Sequence, residues 1–184
     1  GARRGEDPRG RAAGHPEPTD MKEQREGTMY RRQHGHTRPH EDPYYQSAKP
    51  PEPSQCPMCH AVFMEGRWQW SDAPSAVHEE LCPACRRIED RFPAGYVTIK
   101  GAFFKEHRDE IIALIKAKEK REKAERPLQR IMAIEDKRDT LEVSTTDSHI
   151  ARGIAEALHD AYKGDLKVRY SRDENLVRAV WTRN

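Results

Sequence analysis

The sequence predicts an α+β protein in four parts: a disordered N-terminal tail over residues 1–54, a small cysteine-built lobe over 55–100, a connecting helix over 101–127 and an antiparallel ββαββ domain over 128–184. Three observations carry this. Two Cys-Pro-x-Cys pairs stand at 56–59 and 82–85, with 22 residues between them. Apolar residues recur at helical spacing from Phe103 to Ile115 and run on into a charged stretch that stops at Pro127. The last third alternates apolar and polar residues on either side of an alanine-rich helical stripe.

The tail comes first. Only 35% of the 184 residues are hydrophobic and the mean hydropathy is −1.05, low for a chain that is packed throughout. The first 54 residues hold almost no aliphatic side chains. They are rich in Arg, Gly, Pro, His and Glu, so they cannot bury enough apolar surface to offset the entropy of ordering. Met21 and Met29 are plausible true starts, which would leave the residues before them outside the fold. His34, His36 and His40 are expected to belong to the disordered tail rather than to a metal site. No apolar run reaches the length of a membrane span or a signal-peptide core, so a cytoplasmic location is expected. The 33 Lys and Arg are met by 31 Asp and Glu, with the signs mixed along the chain, so any nucleic-acid binding has to come from local patches.

In the second part, a Cys-x-x-Cys turn points two sulfurs at one centre, and two such turns complete a tetrahedral thiolate cage for one structural Zn²⁺. Cys56, Cys59, Cys82 and Cys85 are the expected ligands, with Pro57 and Pro83 favouring the tight turns. Two redox pairs, two disulfides, or a site in which His60 or His78 replaces one cysteine are the rival readings. Between the pairs, residues 61–64 and 67–70 flank Glu65-Gly66 and read as a β-hairpin. Trp68 and Trp70 then share a face. They either cover the metal site or form a stacking platform for an unpaired base, with Arg67, Arg86 and Arg87 meeting phosphate. A short strand is expected over 97–99, ended by Gly101.

The third part is one helix from about Phe103 to Arg126. Its first half is amphipathic and its second half is a solvated face or a spacer between two domains. In the fourth part, residues 130–134 and 140–145 form a hairpin. Asp147 or Thr146 caps a helix that buries Ile150, Ile154 and Leu158, with Gly164 at its C-terminal cap. Strands over 166–171 and 176–182 complete an antiparallel sheet with one covering helix. Its other face could present Lys167, Arg169 and Arg178 together to a phosphate backbone, or simply be a wet face rich in cations. His149 and His159 lie on different sides of the helix and form no acid–base pair. With no phosphate loop, nucleophile elbow or acid–base pair in the sequence, a non-enzymatic role without a small-molecule substrate is expected.

The order Cys-Pro-x-Cys, Trp-containing hairpin, Cys-Pro-Ala-Cys-Arg-Arg, then Phe-Phe-Lys-Glu-His-Arg-Asp-Glu-Ile and a segment beginning Leu141-Glu142-Val143-Ser144-Thr145-Thr146-Asp147 resembles a bacterial family of zinc-ribbon proteins. That family in turn looks like a reduced form of the archaeal and eukaryotic large-ribosomal-subunit export adaptor of the nonsense-mediated-decay type. The resemblance covers about residues 55–184. It implies a zinc-stabilised adaptor that associates with ribosomal RNA or a ribosomal subunit, with the four cysteines as the matching ligands. It carries over no RNA-contact residue, and the export role cannot apply in a bacterium. A protein–protein adaptor, a DNA-binding regulator and a thiol oxidoreductase are the other classes considered.

Overall fold

A turn with two left-handed residues organises the N-terminal lobe. The computed structural model describes residues 44, 49–75, 77–171 and 176–184. Within them, β2 (Val62–Met64) and β3 (Arg67–Gln69) pair antiparallel across Glu65 and Gly66, whose φ values are 56° and 75°. Two positive φ angles match a two-residue turn to the twist of its strands, which is why glycine stands there. The carboxylate of Glu52 holds the turn from outside, accepting from the Glu65 and Gly66 N–H groups at 2.8 and 2.9 Å. β1 (Ser54–Gln55) pairs antiparallel with β2, and β4 (His78–Glu79) pairs parallel with β1, so the strand order is β3-β2-β1-β4. Helix α1 (Pro83–Asp90) follows.

The disordered tail was expected to extend through Ser54, but ordered structure begins earlier. Ser54 is buried in β1, and Glu52 is tied to the hairpin because the turn's N–H groups need an acceptor. Met21, Met29 and the histidines at 34, 36 and 40 lie outside the described residues.

The second sheet has five strands in the order β6-β7-β5-β9-β8: β5 (Gly95–Lys100), β6 (Ile131–Lys137), β7 (Thr140–Thr145), β8 (Asp165–Ser171) and β9 (Leu176–Thr182). The strand expected at 97–99 therefore belongs to this sheet, not to the cysteine lobe. It fills the central position, antiparallel to β7 and parallel to β9. Val97 and Ile99 suit this position, because both are fully buried on the helix-covered face of the sheet. The sheet is thus mixed and has one strand more than the ββαββ reading allowed.

One face of the sheet is covered by helices. The long helix expected from Phe103 onward is broken at His107 (φ −115°, ψ 25°) into α2 (Ala102–Glu106) and α3 (Arg108–Glu125). The His107 ring stacks on Phe103 at 4.1 Å. Helix α3 is more than a spacer: Ile111 and Ile115 are fully buried together with Ile150, Ile154 and Leu158 of α4 (Ser148–Tyr162). Each such side chain contributes about 1.5–3 kcal/mol by leaving water. Even the charged half has specific partners, since Glu119 accepts the Ile131 N–H at 2.7 Å and the carbonyl of Lys123 accepts the Trp70 indole N–H at 2.6 Å. Asp147 caps α4 as expected, accepting the His149 N–H at 2.7 Å. Trp181, fully buried at the end of β9, donates its indole N–H to the carbonyl of Lys163 at 2.7 Å. Among the described residues no helix is long and apolar enough to cross a membrane.

Gly101 joins β5 to α2 where the chain presses on Arg183. Its φ is 111°, and a Cβ there would stand 2.0 Å from the Arg183 carbonyl oxygen. Gly101→Ala should lower stability by more than ~1 kcal/mol, read from chemical denaturation, because neither the backbone conformation nor the clash can be relieved by a side chain. An unchanged midpoint would show that this crossing is looser than described.

Candidate metal centre

Each cysteine pair is shaped by its own local structure. In the first, the Cys56 N–H donates to the Ala61 carbonyl at 2.9 Å and the His60 N–H donates to the Cys56 carbonyl at 2.8 Å, closing a tight loop. His60 occupies the left-handed region (φ 62°), a position that glycine usually relieves. In the second pair, Cys82 is the N-cap of α1, with Pro83 in its first turn and the Cys85 N–H directed at the Cys82 sulfur, 3.4 Å away. The positive end of the helix thus faces a sulfur, which favours its ionised form. The two loops meet where the Cys82 N–H points at the Cys56 sulfur, also at 3.4 Å.

All four sulfurs lie within 4.8 Å of one another, and those of Cys59 and Cys82 are 3.7 Å apart. A tetrahedral ion with metal–sulfur bonds near 2.3 Å requires sulfur–sulfur edges of about 3.8 Å, so the residues fit a single ion. None of the four is in a disulfide. The candidate group consists of cysteines alone, while His60 and His78 are exposed and stand outside it. Four protein sulfurs would saturate a tetrahedral ion and leave no position for a substrate or a reactive water, so such a site is structural.

The electrostatics show why a cation belongs here. Burial, reinforced by the neighbouring cysteines, drives the Cys82 thiol far above its ordinary range, and burial pushes Cys85 up to about 11. Burial works against Cys59 too, but the Ala61 backbone N–H and the Arg130 guanidinium outweigh it and bring that thiol down to about 7. Four thiolates around a divalent ion carry a net charge of −2, and the structure supplies a counter-charge that sequence reasoning missed.

That counter-charge is Arg130, only 6% exposed. Its Nη2 donates to the Cys59 sulfur at 2.9 Å, its Nη1 to the Cys85 sulfur at 3.3 Å and its Nε to the Pro127 carbonyl at 2.6 Å. Burial disfavours its charge, yet the Cys59 and Cys85 sulfurs more than compensate and hold its pKa above the ordinary value. The planar fork of arginine matches this divergent set of acceptors in a way a lysine point charge would not. Trp70 adds an aromatic neighbour, its ring centroid 5.9 Å from the guanidinium carbon. Arg130 lies 71 residues from Cys59 in sequence, and the only local sign of it is a charged residue opening an apolar strand.

The residues expected to meet nucleic acid fall into separate groups. Trp68 is 9% exposed and packs on Phe63 with ring centroids 5.5 Å apart, so it belongs to the lobe's interior and offers no face to a base. Arg87 is 3% exposed, donates to the Phe92 carbonyl and lies 4.4 Å from the Tyr44 ring centroid, which withdraws it from a phosphate. Trp70 is 39% exposed but has its indole N–H engaged by Lys123. Arg67 is exposed on β3, and Arg86 pairs with Glu80 at 2.9 Å. Lys167, Arg169 and Arg178 are exposed on the second sheet.

Two predictions test the centre. Cys59→Ser or Cys82→Ser should release the metal and unfold the cysteine lobe, because ligand closure and folding of so small a core are one event; a folded, metal-loaded variant by metal analysis and circular dichroism would refute the assignment. Arg130→Met should make the metal about 10–100-fold easier to remove with a chelator, as for other residues that support a ligand shell. In protein refilled with Co²⁺, it should also move the sulfur-to-metal charge-transfer band to lower energy, because the thiolates lose two N–H donors. An unmoved band would mean that Arg130 fills space only.

Comparison with known proteins yields no relative: no family model, curated protein or solved structure matches the chain, so the role of the centre follows from its own chemistry.

Proposed function

We propose that the four cysteines hold one zinc ion as a structural element of a zinc ribbon, and that the protein is a cytoplasmic, non-enzymatic binding protein for RNA on a ribosomal subunit. An all-sulfur tetrahedral set selects zinc or iron, and zinc suits a site that needs no redox change. The observation that carries the RNA reading is the face of the second sheet opposite its helices. Period-two alternation sends Lys167 and Arg169 of β8, Arg178 of β9 and Lys100 of β5 to that face, while Leu166, Ala179, Trp181 and Ile99 go to the core. Four exposed cations on three adjacent strands suit a phosphate backbone, and the ribosome-adaptor resemblance points the same way. A protein partner is the second reading, favoured by Ile88 and Phe92, which stay exposed at the end of α1 and just beyond it.

The test is sedimentation of the purified protein with ribosomal subunits at low and high salt. The native protein should travel with one subunit at low salt and leave it at high salt. Arg169→Ala combined with Arg178→Ala should weaken binding and flatten the salt dependence by about 1.4 in log–log slope, two phosphate contacts at ~0.7 each on single-stranded RNA. A protein that stays at the top of the gradient at low salt overturns the RNA reading in favour of the protein partner.

A further inference from the structure

The open face of the sheet is not uniformly cationic. Register places Ala133, Ser144, Tyr96, Arg178 and Arg169 side by side, one from each strand in the order β6-β7-β5-β9-β8. Going across the sheet, this row runs from two small side chains to an aromatic ring on the central strand and then to two guanidiniums. The Arg178 guanidinium carbon stands 5.8 Å from the Tyr96 ring centroid. The small residues leave room beside the ring, and the end of the cysteine lobe closes that room on one side. Ile88 and Pro93 form a wall against Tyr96, Met132 and Ala133, enclosing a groove of about 500 Å³.

Resting on the RNA reading above, we infer that this groove takes one unpaired base of a single-stranded RNA, stacked on Tyr96, while Arg178 and Arg169 meet the phosphates beside it. The groove is chemically suited to a base rather than a phosphate. Its carboxylates, Glu142 and Glu135, stand opposite each other on β7 and β6 and are bridged by Lys137, at 2.5 and 3.9 Å, and Arg91 on the rim supplies a second cation, so the lining is balanced in charge. They therefore offer acceptors to the donor groups of a base edge without a strong field of either sign. The phosphate end lies on the other side of the ring, on β9 and β8, where the arginines are. Tyr96 on the central strand of an open sheet has the placement that lets an aromatic ring stack an extruded base. Ser144, which lines the groove opposite Tyr96, carries a hydroxyl of the kind that can meet a ribose 2′-OH. A duplex keeps its bases stacked inside and cannot enter a groove walled by Ile88 and Pro93.

The test uses the full, zinc-loaded protein and a fluorescent, unstructured RNA of about a dozen nucleotides, with affinity read by anisotropy. Tyr96→Ala should weaken binding at least about five-fold, the loss expected for one stacked base, and Tyr96→Phe should restore it. Ser144→Leu, which fills the space beside the ring while keeping Tyr96 in place, should weaken binding similarly and gives an independent reading should the alanine variant fold poorly. The same sequence as duplex RNA or as single-stranded DNA should compete less well. Binding that is unchanged in both Tyr96→Ala and Ser144→Leu, or equal competition by the duplex or the DNA, overturns this inference while leaving cationic RNA binding intact. No binding of the strand by the native protein at low salt overturns both.

Discussion

The guanidinium of Arg130 is the joint on which the two lobes depend. It stands just before β6 of the second sheet yet directs both terminal nitrogens at the sulfurs of Cys59 and Cys85 in the first lobe. Each side needs the other. A buried guanidinium stripped of its anionic partners costs about 3–5 kcal/mol, and four clustered thiolates would outweigh the charge of any divalent ion held among them. Because the hydrogen bonds go to the clustered sulfurs, the cysteine cluster and the interface between lobes are one electrostatic unit. The Trp70 indole, bonded to the end of α3 and lying near Arg130, and Leu128, packed on the apolar part of the cysteine lobe, close the same seam.

The seam explains the shape of the groove on the open face. Its floor belongs to the sheet, and its wall of Ile88 and Pro93 belongs to α1 and the loop after it. Helix α1 begins at a cysteine of the cluster, so the wall is positioned from the cluster outward: Cys82 and Cys85 set the start of the helix, and its eight residues carry Ile88 to the sheet. The cysteine cluster thereby shapes a surface that it never touches.

Much of the local structure was legible in the sequence. The cysteine spacing announced the cluster, Glu65-Gly66 the hairpin turn, Asp147 the cap of α4, and the alternation in 176–182 gave the whole of β9. What stayed hidden depends on distant partners. Nothing within a few residues of Val97 says that it will lie between strands ending at Thr145 and Thr182. Period two showed that Trp68 and Trp70 share a face of the hairpin, but β3 ends at Gln69, so one ring turned inward while the other reached α3. Arg87 and Arg130 were illegible for the same reason, since a buried arginine is recognised only by its acceptors. The charged half of α3 was read as solvated because charge alone cannot reveal that Glu119 serves the backbone of a strand that begins beyond the helix's end.

The central position of β5 carries a consequence for the order of assembly. Its antiparallel neighbour β7 is complete by Thr145, but its parallel neighbour β9 is made of Leu176–Thr182, synthesised about 30 residues later. During synthesis all four cysteines and then Arg130 emerge well before that strand, so the cysteine lobe can close while one side of β5 still presents unpaired N–H and carbonyl groups. Contacts of such long sequence separation form slowly and leave an edge open to wrong partners in the interval. Loss of β9 alone would therefore strike the middle of the sheet rather than its rim, and would weaken the cover over Val97 and Ile99 while the cysteine cluster remained intact.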